Sequence, residues 1–461
     1  MLARLLHLDR NNALLVLANL VWGIGSGVYA AIWPLFVESL GASPVEIGIA
    51  LSLTTAVSAV VFIPGAALTQ RLGRKQAMLL GWSMGPLSSL VFALAASWQH
   101  LLPGIVLLAL VGVQAPAYLG YIATAAQGRE LPRVYSLMTS AVSLGTVVSS
   151  PVGGWLADLW DMRLLFWGVA GAYGLATLCV LKLERLEDDQ PDAGEGRTSP
   201  APMVSPAGAS SARQGTAAAY LSVGAILAGY SAVLTDRRLM APLLVQLALL
   251  AGANLAQPLA PNWLVSTYGY SRAQIGALGA LAALASIAWG LILSRLASRR
   301  GASTAMLAAA ALVMLGAIAL LGASSLLVGA IAHVLRGGFT ALRALSTGLT
   351  AALLRPAMEP AIAEAGGAHA ADHAGQGASA VQVRRPGHVE RGFAVYSTLL
   401  NVALALSTVA AGALYQINPA LPFALSAASV LPVALLLWVA AYGSRWGGSP
   451  LRLRMFATAA T

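Results

Sequence analysis

Long apolar runs constrain the fold of this chain more than any other feature. A helix needs about 20 mostly apolar residues to cross a bilayer, and only helices or closed barrels can cross, since lipid offers backbone groups no hydrogen bonds. The runs are continuous and rich in Ala and Leu, whereas barrel strands alternate. We therefore predict twelve transmembrane helices, at residues 12–37, 44–69, 76–97, 101–125, 133–157, 163–183, 239–266, 272–295, 303–321, 325–353, 392–415 and 420–442.

The composition agrees with a chain that lies mostly in lipid. Hydrophobic residues make up 58% of the 461 and charged residues 10%, against about 25% charged in soluble domains. The net charge of +10 comes from basic residues scattered over short loops, so we predict no nucleic-acid partner. The single cysteine, Cys179, excludes an intramolecular disulfide.

Lysine and arginine set the predicted orientation, because cytoplasmic loops carry an excess of them. With the N-terminus inside, Arg163 and Arg272 fall outside and Arg336 and Arg343 lie within the tenth run. The other 23 of the 27 fall inside. We predict a multi-pass protein of the cell (plasma or inner) membrane with both termini cytoplasmic.

A repeat at an offset of 228 residues relates the two parts of the chain. Ile47-Gly48 returns as Ile275-Gly276, Gly41 as Gly269 and Arg71 as Arg299. Paired halves are common in secondary transporters. The repeat and the runs predict a six-helix N-terminal half at residues 1–185 and a six-helix C-terminal half at 239–445, joined by a cytoplasmic linker at 186–238. They also predict a cytoplasmic insert in the C-terminal half at 356–390 and a cytoplasmic tail at 446–461. Residues 220–234 are apolar but short, and we predict an interfacial or packing helix there.

A basic loop between the second and third runs carries a family resemblance. Residues 66–75 read A-A-L-T-Q-R-L-G-R-K. This is similar to the G-x-L-x-D-R-x-G-R-K signature of the major facilitator superfamily, with Ala66 and Gln70 in place of Gly and Asp. In that family the Asp belongs to a charge network that latches the outward-facing state, so the resemblance implies a weaker latch here. It implies a gating loop at Gln70, Arg71, Gly73, Arg74 and Lys75.

A second, looser match lies in the fifth run. Residues 145–154 resemble the G-P-x-x-G-G stretch of antiporter-type members, with Ser150 before Pro151. The resemblance implies an all-α integral membrane fold with two pseudo-symmetric six-helix bundles, in which helices 1, 4, 7 and 10 surround a central cavity.

Polar residues at helical spacing agree with that placement. In the first, fourth, seventh and tenth runs they share one face of each predicted helix. Cavity lining and ordinary helix packing both explain such faces. The candidate cavity residues are Asn19, Trp22, Ser26, Tyr29, Gln114, Tyr118, Asn254, Gln257, His333, Arg336, Thr340 and Arg343.

Arg336 stands apart, because a charged side chain near the middle of a membrane costs at least about 2.5 kcal/mol. Either an anionic substrate group or neutral partners such as Gln257 or Asn254 offset that cost. Arg343 lies two turns nearer the inner face. Every Asp and Glu falls in a loop or at a helix end. We predict that Asp158 and Asp161, which precede Arg163, are loop charges or form local ion pairs.

These patterns predict a secondary transporter that moves a small organic solute by alternating access, with or without a coupling ion. A non-transporting receptor or assembly factor on the same scaffold is the alternative. We expect a monomer in the lipid bilayer, no cofactor, no metal site and no catalytic residue, and so no enzyme.

Overall fold

A computed structural model describes residues 9–125, 131–184, 237–357 and 388–442, and the regular structure in these residues is helical throughout. The helices are α1 Arg10–Ala30, α2 Trp33–Ser39, α3 Pro44–Leu72, α4 Arg74–Ala93, α5 Leu101–Leu110, α6 Ala115–Ala125, α7 Leu131–Leu159, α8 Met162–Leu181, α9 Arg237–Asn254, α10 Ala260–Tyr268, α11 Arg272–Arg300, α12 Ala302–Leu321, α13 Leu326–Arg336, α14 Gly338–Ala357, α15 His388–Ile417 and α16 Leu421–Tyr442.

Each of the twelve predicted runs falls on one of these helices or on consecutive ones. By length and composition, seven helices or consecutive helix pairs in the described residues can cross a membrane. The total of twelve spans stays a prediction. Most of the predicted linker and of the insert, and the segment at 220–234, lie outside the described residues.

The 228-residue repeat reappears in the local geometry. Ser43 opens α3 and Ser271 opens α11, and each serine forms a capping box with the residue three positions on. A capping box satisfies backbone N–H groups that the first helical turn leaves unpaired. Gly73 and Gly301, also 228 apart, have φ of 80° and 92°. Only glycine adopts this backbone readily, and here it joins two helices end to end.

The described helices form an N-terminal set (residues 9–184) and a C-terminal set (residues 237–442). In the N-terminal set α1 packs against α7 and α8, and α4 packs against α8. In the C-terminal set α12 packs against α16 and α13. Two long crossings join the sets, α3 with α15 and α7 with α11.

Small residues allow the crossings to be close. A Cβ on Gly276 would lie 2.4 Å from the carbonyl oxygen of Ser150 and 3.0 Å from the Cα of Gly154. At the other crossing, a Cβ on Gly412 would lie 2.3 Å from the carbonyl oxygen of Pro44. Small residues at helix interfaces are typical of membrane proteins, where close backbone approach replaces the hydrophobic drive of water.

Both crossings lie at one end of the bundle, which we call the closed end. It is defined by Glu38, Asp158, Asn262 and Arg272. An apolar cluster there includes buried residues of both sets, among them Phe36, Phe166, Trp263 and Phe423. Each set also has an apolar cluster of its own. The closed end is therefore a packed interface between the two sets.

Candidate functional site

A cavity of about 420 Å³ lies beside this interface. Its walls come from both sets, with Trp33 and Leu51 on the N-terminal side and Asn254, Gln257 and Arg336 on the C-terminal side. Clefts and cavities of this size are typical of small-molecule sites.

Three interrupted helices meet at the cavity. The first run breaks at Ala31 between α1 and α2, the seventh at residues 255–259 between α9 and α10, and the tenth at Gly337 between α13 and α14. Ala31, Pro258 and Gly337 all line the cavity. Broken helices within a membrane are tolerated where their free backbone groups face protein or a cavity, and they often form binding sites in transporters.

Arg336 connects two of these breaks. It is the last residue of α13, and its Nη2 donates to the backbone carbonyl of Gln257 and to that residue's Oε1, both at 3.0 Å. The carbonyl belongs to the break between α9 and α10, where no helical partner takes it. A cation at the C-terminal end of a helix also interacts favourably with the helix dipole. This geometry holds the guanidinium in place with neutral partners.

His333 lies one turn before Arg336 and is 5% exposed. Its Nδ1 lies 2.9 Å from the carbonyl oxygen of Gly329, and its Nε2 lies 3.3 Å from Nη1 of Arg336. The carbonyl accepts only, so Nδ1 must be the donor, and the guanidinium donates only, so Nε2 must be the acceptor. The contacts therefore assign the neutral tautomer with its proton on Nδ1.

Hydroxyl and amide groups complete the polar part of the wall. Asn254 Nδ2 donates to Oγ1 of Thr408 at 3.0 Å. Thr340 Oγ1 donates to Oγ of Ser286 at 3.4 Å. Among the described residues that line the cavity, Arg336 alone carries a full charge. The site thus combines a polar, positive part with apolar walls and is free of lining carboxylates in the described part of the chain.

The face of the tenth run that carries Arg336 changes exposure along its length. His333 is buried, Arg336 is half-buried, and Thr340 and Arg343 are exposed. Arg343 does not line the cavity, and its Nη2 donates to Oδ1 of Asn401 at 3.4 Å. Because a charged side chain facing lipid is costly, this face indicates a polar, water-accessible space that widens towards Arg343.

The structure places the predicted residues of the first run inside the N-terminal set. Trp22 stacks on Tyr173, with ring centroids 4.0 Å apart, and meets Trp82 edge-on. The hydroxyl of Tyr29 lies 3.2 Å from that of Tyr173. Ser26 donates to the carbonyl of Gly23. None of these three side chains lines the cavity described above, and their role in binding stays a prediction.

The predicted residues of the fourth run are also internal to this set. Tyr118 accepts a hydrogen bond from Asn19 Nδ2 at 3.0 Å. Gln114 packs over Gly81 of α4, where a glycine Cβ would lie 2.5 Å from the Gln114 Cβ. The structure therefore brings together Asn254, Gln257, His333, Arg336 and Thr340 at the cavity, and Asn19 with Tyr118 elsewhere.

The predicted gating loop links α3 to α4 at the end of the bundle opposite the closed end. Gly73 ends α3 and begins α4. Lys75 Nζ donates to the carbonyl of Leu183 at 2.5 Å, and Arg74 lies against Gly120. Arg71 is exposed. Nothing is described for the side chain of Gln70, so the weaker latch stays a prediction.

Hydrogen bonds at the closed end join the two sets. Asp158 accepts from the backbone N–H groups of Arg272 at 2.9 Å and Ala273 at 2.8 Å, which are the first two of α11. Ser271 accepts from the third, that of Gln274. A helix start leaves such groups without partners, so Asp158 acts as a second cap supplied from the opposite set. This long-range contact corrects the expectation that Asp158 is a loop charge or a local ion pair.

Three further contacts strengthen this end. Arg272 Nη1 donates to the carbonyl of Ala157 at 2.7 Å, and Ser150 Oγ to that of Gly276 at 2.9 Å. Asn262 Nδ2 donates to Oε2 of Glu38 at 2.6 Å. Asp161, by contrast, accepts from the backbone N–H of Arg163 in its own helix, and it is local as predicted.

Several cavity residues were missed by the sequence patterns. Phe339, Thr408 and Ser286 line the cavity without belonging to a predicted polar face. Helix-breaking residues inside the apolar runs are the signal that would have located part of the wall. Pro258 and Pro261 interrupt the seventh run, and Gly337 interrupts the tenth run. Proline and paired glycines inside an apolar run mark a break.

Known proteins share the sequence pattern and the fold of this chain. The family model of the Major Facilitator Superfamily matches residues 15–363. The chain belongs to the Major Facilitator Superfamily. That match confirms the predicted family and, with the helical architecture, the predicted fold class.

Two relatives illustrate how far the similarity extends within the superfamily. Multidrug resistance protein MdtH of Proteus mirabilis is 31% identical over 169 residues, which cover 36% of this chain and 41% of MdtH. Quinolone resistance protein NorA of Staphylococcus aureus is 24% identical over 154 residues, which cover 33% of this chain and 39% of NorA. The matched region thus spans about two fifths of each of these relatives.

Solved structures extend the likeness of fold to nearly the whole chain. The nucleoside transporter NupG has a TM-score of 0.69 at 10% identity, over 94% of this chain and 99% of NupG. A peptide transporter of the POT family, solved with sulfate, has a TM-score of 0.65 at 15% identity, over 97% of this chain and 96% of its own. At these identities the likeness concerns the fold alone.

Proposed function

We propose that this superfamily member is a secondary transporter that moves a small organic solute across the cell membrane. The observation that carries the proposal is the cavity, which lies between the two sets of helices next to an interface that closes one end. A site between two such bodies can face either side of the membrane in turn when the bodies rock. Membership of the superfamily and the fold of NupG support the same reading.

The closed end defines which state the structure represents. The distribution of Lys and Arg places Glu38, Asp158 and Arg272 outside. In this orientation the exposed Thr340 and Arg343 would lie towards the inside. We infer an inward-facing state, with the outer side sealed by the contacts of Asp158 and by the two crossings. Both termini, most of the linker and the insert are cytoplasmic in this proposal.

The relatives suggest the direction of movement. MdtH and NorA are named for multidrug and quinolone resistance. Export of small organic compounds is therefore the direction we propose, by a monomer of two six-helix halves with the boundaries given above. A non-transporting receptor is disfavoured because a receptor needs no interface that seals one end of a cavity shared by two bodies.

Flux into proteoliposomes tests this proposal. Purified protein is reconstituted and exposed to a panel of labelled drug-like and metabolite-like solutes, with counterflow as the readout. A matched control is Gly276→Trp, because a large side chain at the crossing of α7 and α11 cannot coexist with the Ser150 carbonyl 2.4 Å from the Cβ position. We expect flux with the native chain and none with this variant. Solute binding without flux for any bound compound would favour the receptor.

A further inference from the structure

The charge of Arg336 lacks a counterion in the described part of the chain. Its guanidinium bonds to the backbone carbonyl and the side-chain oxygen of Gln257 and to a ring nitrogen of His333, all of them neutral. The described cavity wall contains no Asp or Glu. A charge removed from bulk water is strongly disfavoured unless an opposite charge accompanies it. The bonds to Gln257 explain the orientation of the side chain, and they leave its charge uncompensated.

Two hydrogen-bond donors beside this charge are also unused. Arg336 Nε and Gln257 Nε2 are buried and have no partner among the described residues. They belong to the two cavity-lining residues that bond to each other, so they lie just beneath one polar spot of the wall. An unpaired buried donor is costly, and what satisfies a donor is an acceptor such as a carboxylate oxygen.

The rest of the wall is largely apolar and partly aromatic. Trp33, Pro34 and Leu51 line the cavity from the N-terminal set, and Ile275 and Phe339 line it from the C-terminal set. Rings and branched side chains favour a flat or bulky hydrophobic group. One guanidinium neutralises one negative charge and can hold a carboxylate with charge-assisted hydrogen bonds.

We propose that the cavity binds a hydrophobic organic acid in its monoanionic form, with its carboxylate at Arg336 and Gln257 and its apolar group against Trp33 and Phe339. The inference names the substrate class of the proposed transporter and rests on that function only for the movement of the ligand. Binding itself follows from the wall.

A charge series on one scaffold tests the inference with the native protein. The probes are 2-naphthoate, 2-naphthamide and 2-naphthylmethylammonium, which share a ring system and differ in charge. Affinities are measured by isothermal titration in detergent. We expect naphthoate to bind about tenfold or more tightly than naphthamide, because hydrogen bonds to an ionised group are roughly twice as strong, and the cation to bind weakest.

Variants assign the preference to Arg336. In Arg336→Gln the preference of naphthoate over naphthamide should collapse to about twofold, since the remaining groups are neutral. Arg336→Lys should retain part of it, because an ammonium is a point charge without the planar fork. The control is Arg295→Gln, an exposed arginine of α11 far along the helix from the cavity. It removes one positive charge and should keep the full preference.

Each outcome bears on the inference. Absence of naphthoate binding, equal affinity for the three probes, or tightest binding of the cation would overturn it. So would a preference that survives in Arg336→Gln. If that variant fails to fold, the series on the native chain and on Arg336→Lys decides. Charge-selective binding without naphthoate flux in proteoliposomes would uphold this inference and count against transport of that acid. Flux of other solutes without naphthoate binding would uphold the proposed transport and overturn this inference.

Discussion

The cap that Asp158 places on α11 should set how easily the closed end opens. Its carboxylate accepts from two consecutive backbone N–H groups, at 2.9 Å and 2.8 Å, across the boundary between the sets. In Asp158→Asn one oxygen becomes an NH₂ group that faces an N–H donor, and the negative charge at the helix start is lost.

The expected size follows from the exposure of the site. A charge at a helix N-terminus and a capping hydrogen bond each contribute several tenths of a kcal/mol or more at the surface. Because Asp158 is exposed, we take the lower part of that range. The closed state should lose about 1 kcal/mol, which raises the ratio of open to closed about fivefold.

Cysteine reactivity measures that ratio. The single native cysteine is replaced in Cys179→Ser, and Leu264→Cys introduces a reporter at a position that is 0% exposed in the apolar cluster of the closed end. When opening is fast, the labelling rate by a maleimide is proportional to the open population. Asp158→Asn should label about fivefold faster than the background variant, since 1 kcal/mol corresponds to that factor.

The control is Asp161→Asn, three residues further on. Asp161 caps its own helix through the backbone N–H of Arg163 and makes no described contact with the other set. Its labelling rate should equal that of the background. Equal rates for the Asp158 and Asp161 variants would refute the view that Asp158 seals this end.

Further predictions concern packing and topology. Gly276→Ala should lower the melting temperature, because its Cβ would meet a backbone carbonyl at 2.4 Å, whereas Gly290→Ala on the same helix meets nothing within 4 Å and should be neutral or stabilising. Trp22→Ala should cost about 2 kcal/mol of stability, less than the roughly 3–5 kcal/mol of a fully buried aromatic truncation because Trp22 is half-buried, with solute affinity unchanged when that affinity is measured on the folded fraction. Impermeant labels applied to intact cells should miss cysteines placed at 186–236 or 356–390.

Specific results would contradict these three. A neutral Gly276→Ala would mean that the crossing is looser than described. Loss of affinity without loss of stability in Trp22→Ala would return this side chain to the substrate path. Labelling of either segment from outside would reverse the orientation.

The sequence predicted the features that depend on local pattern. Hydrophobic length located the helices, and the repeat predicted that the two parts of the chain are alike, which the structure shows in the paired capping boxes at Ser43 and Ser271. On the tenth run, helical spacing placed His333 and Arg336 on one face, and the structure puts both at the cavity. Local rules suffice here because capping and helical phase are decided within a few residues.

Features that depend on neighbours were not predictable in this way. Helical phase identified the aromatic face of the first run but not the helix it meets, and Trp22 packs on Tyr173 within its own set. The cap that Asp158 gives to α11 joins residues 114 positions apart. A single sequence gives no signal for such a pairing, because the same carboxylate is compatible with a solvated loop.

The alternation of the two ends tests the account most directly. Spin labels at Ser39 and Thr267 report the closed end, and labels at Lys182 and Ser298 report the opposite end; all four side chains are exposed. Distances are measured in lipid nanodiscs with and without a transported solute, on the Cys179→Ser background. Rocking of the two sets predicts that conditions which lengthen the distance at the closed end shorten the distance at the opposite end. Both distances unchanged with every transported solute, or both lengthening together, would contradict rocking of the two sets about the cavity.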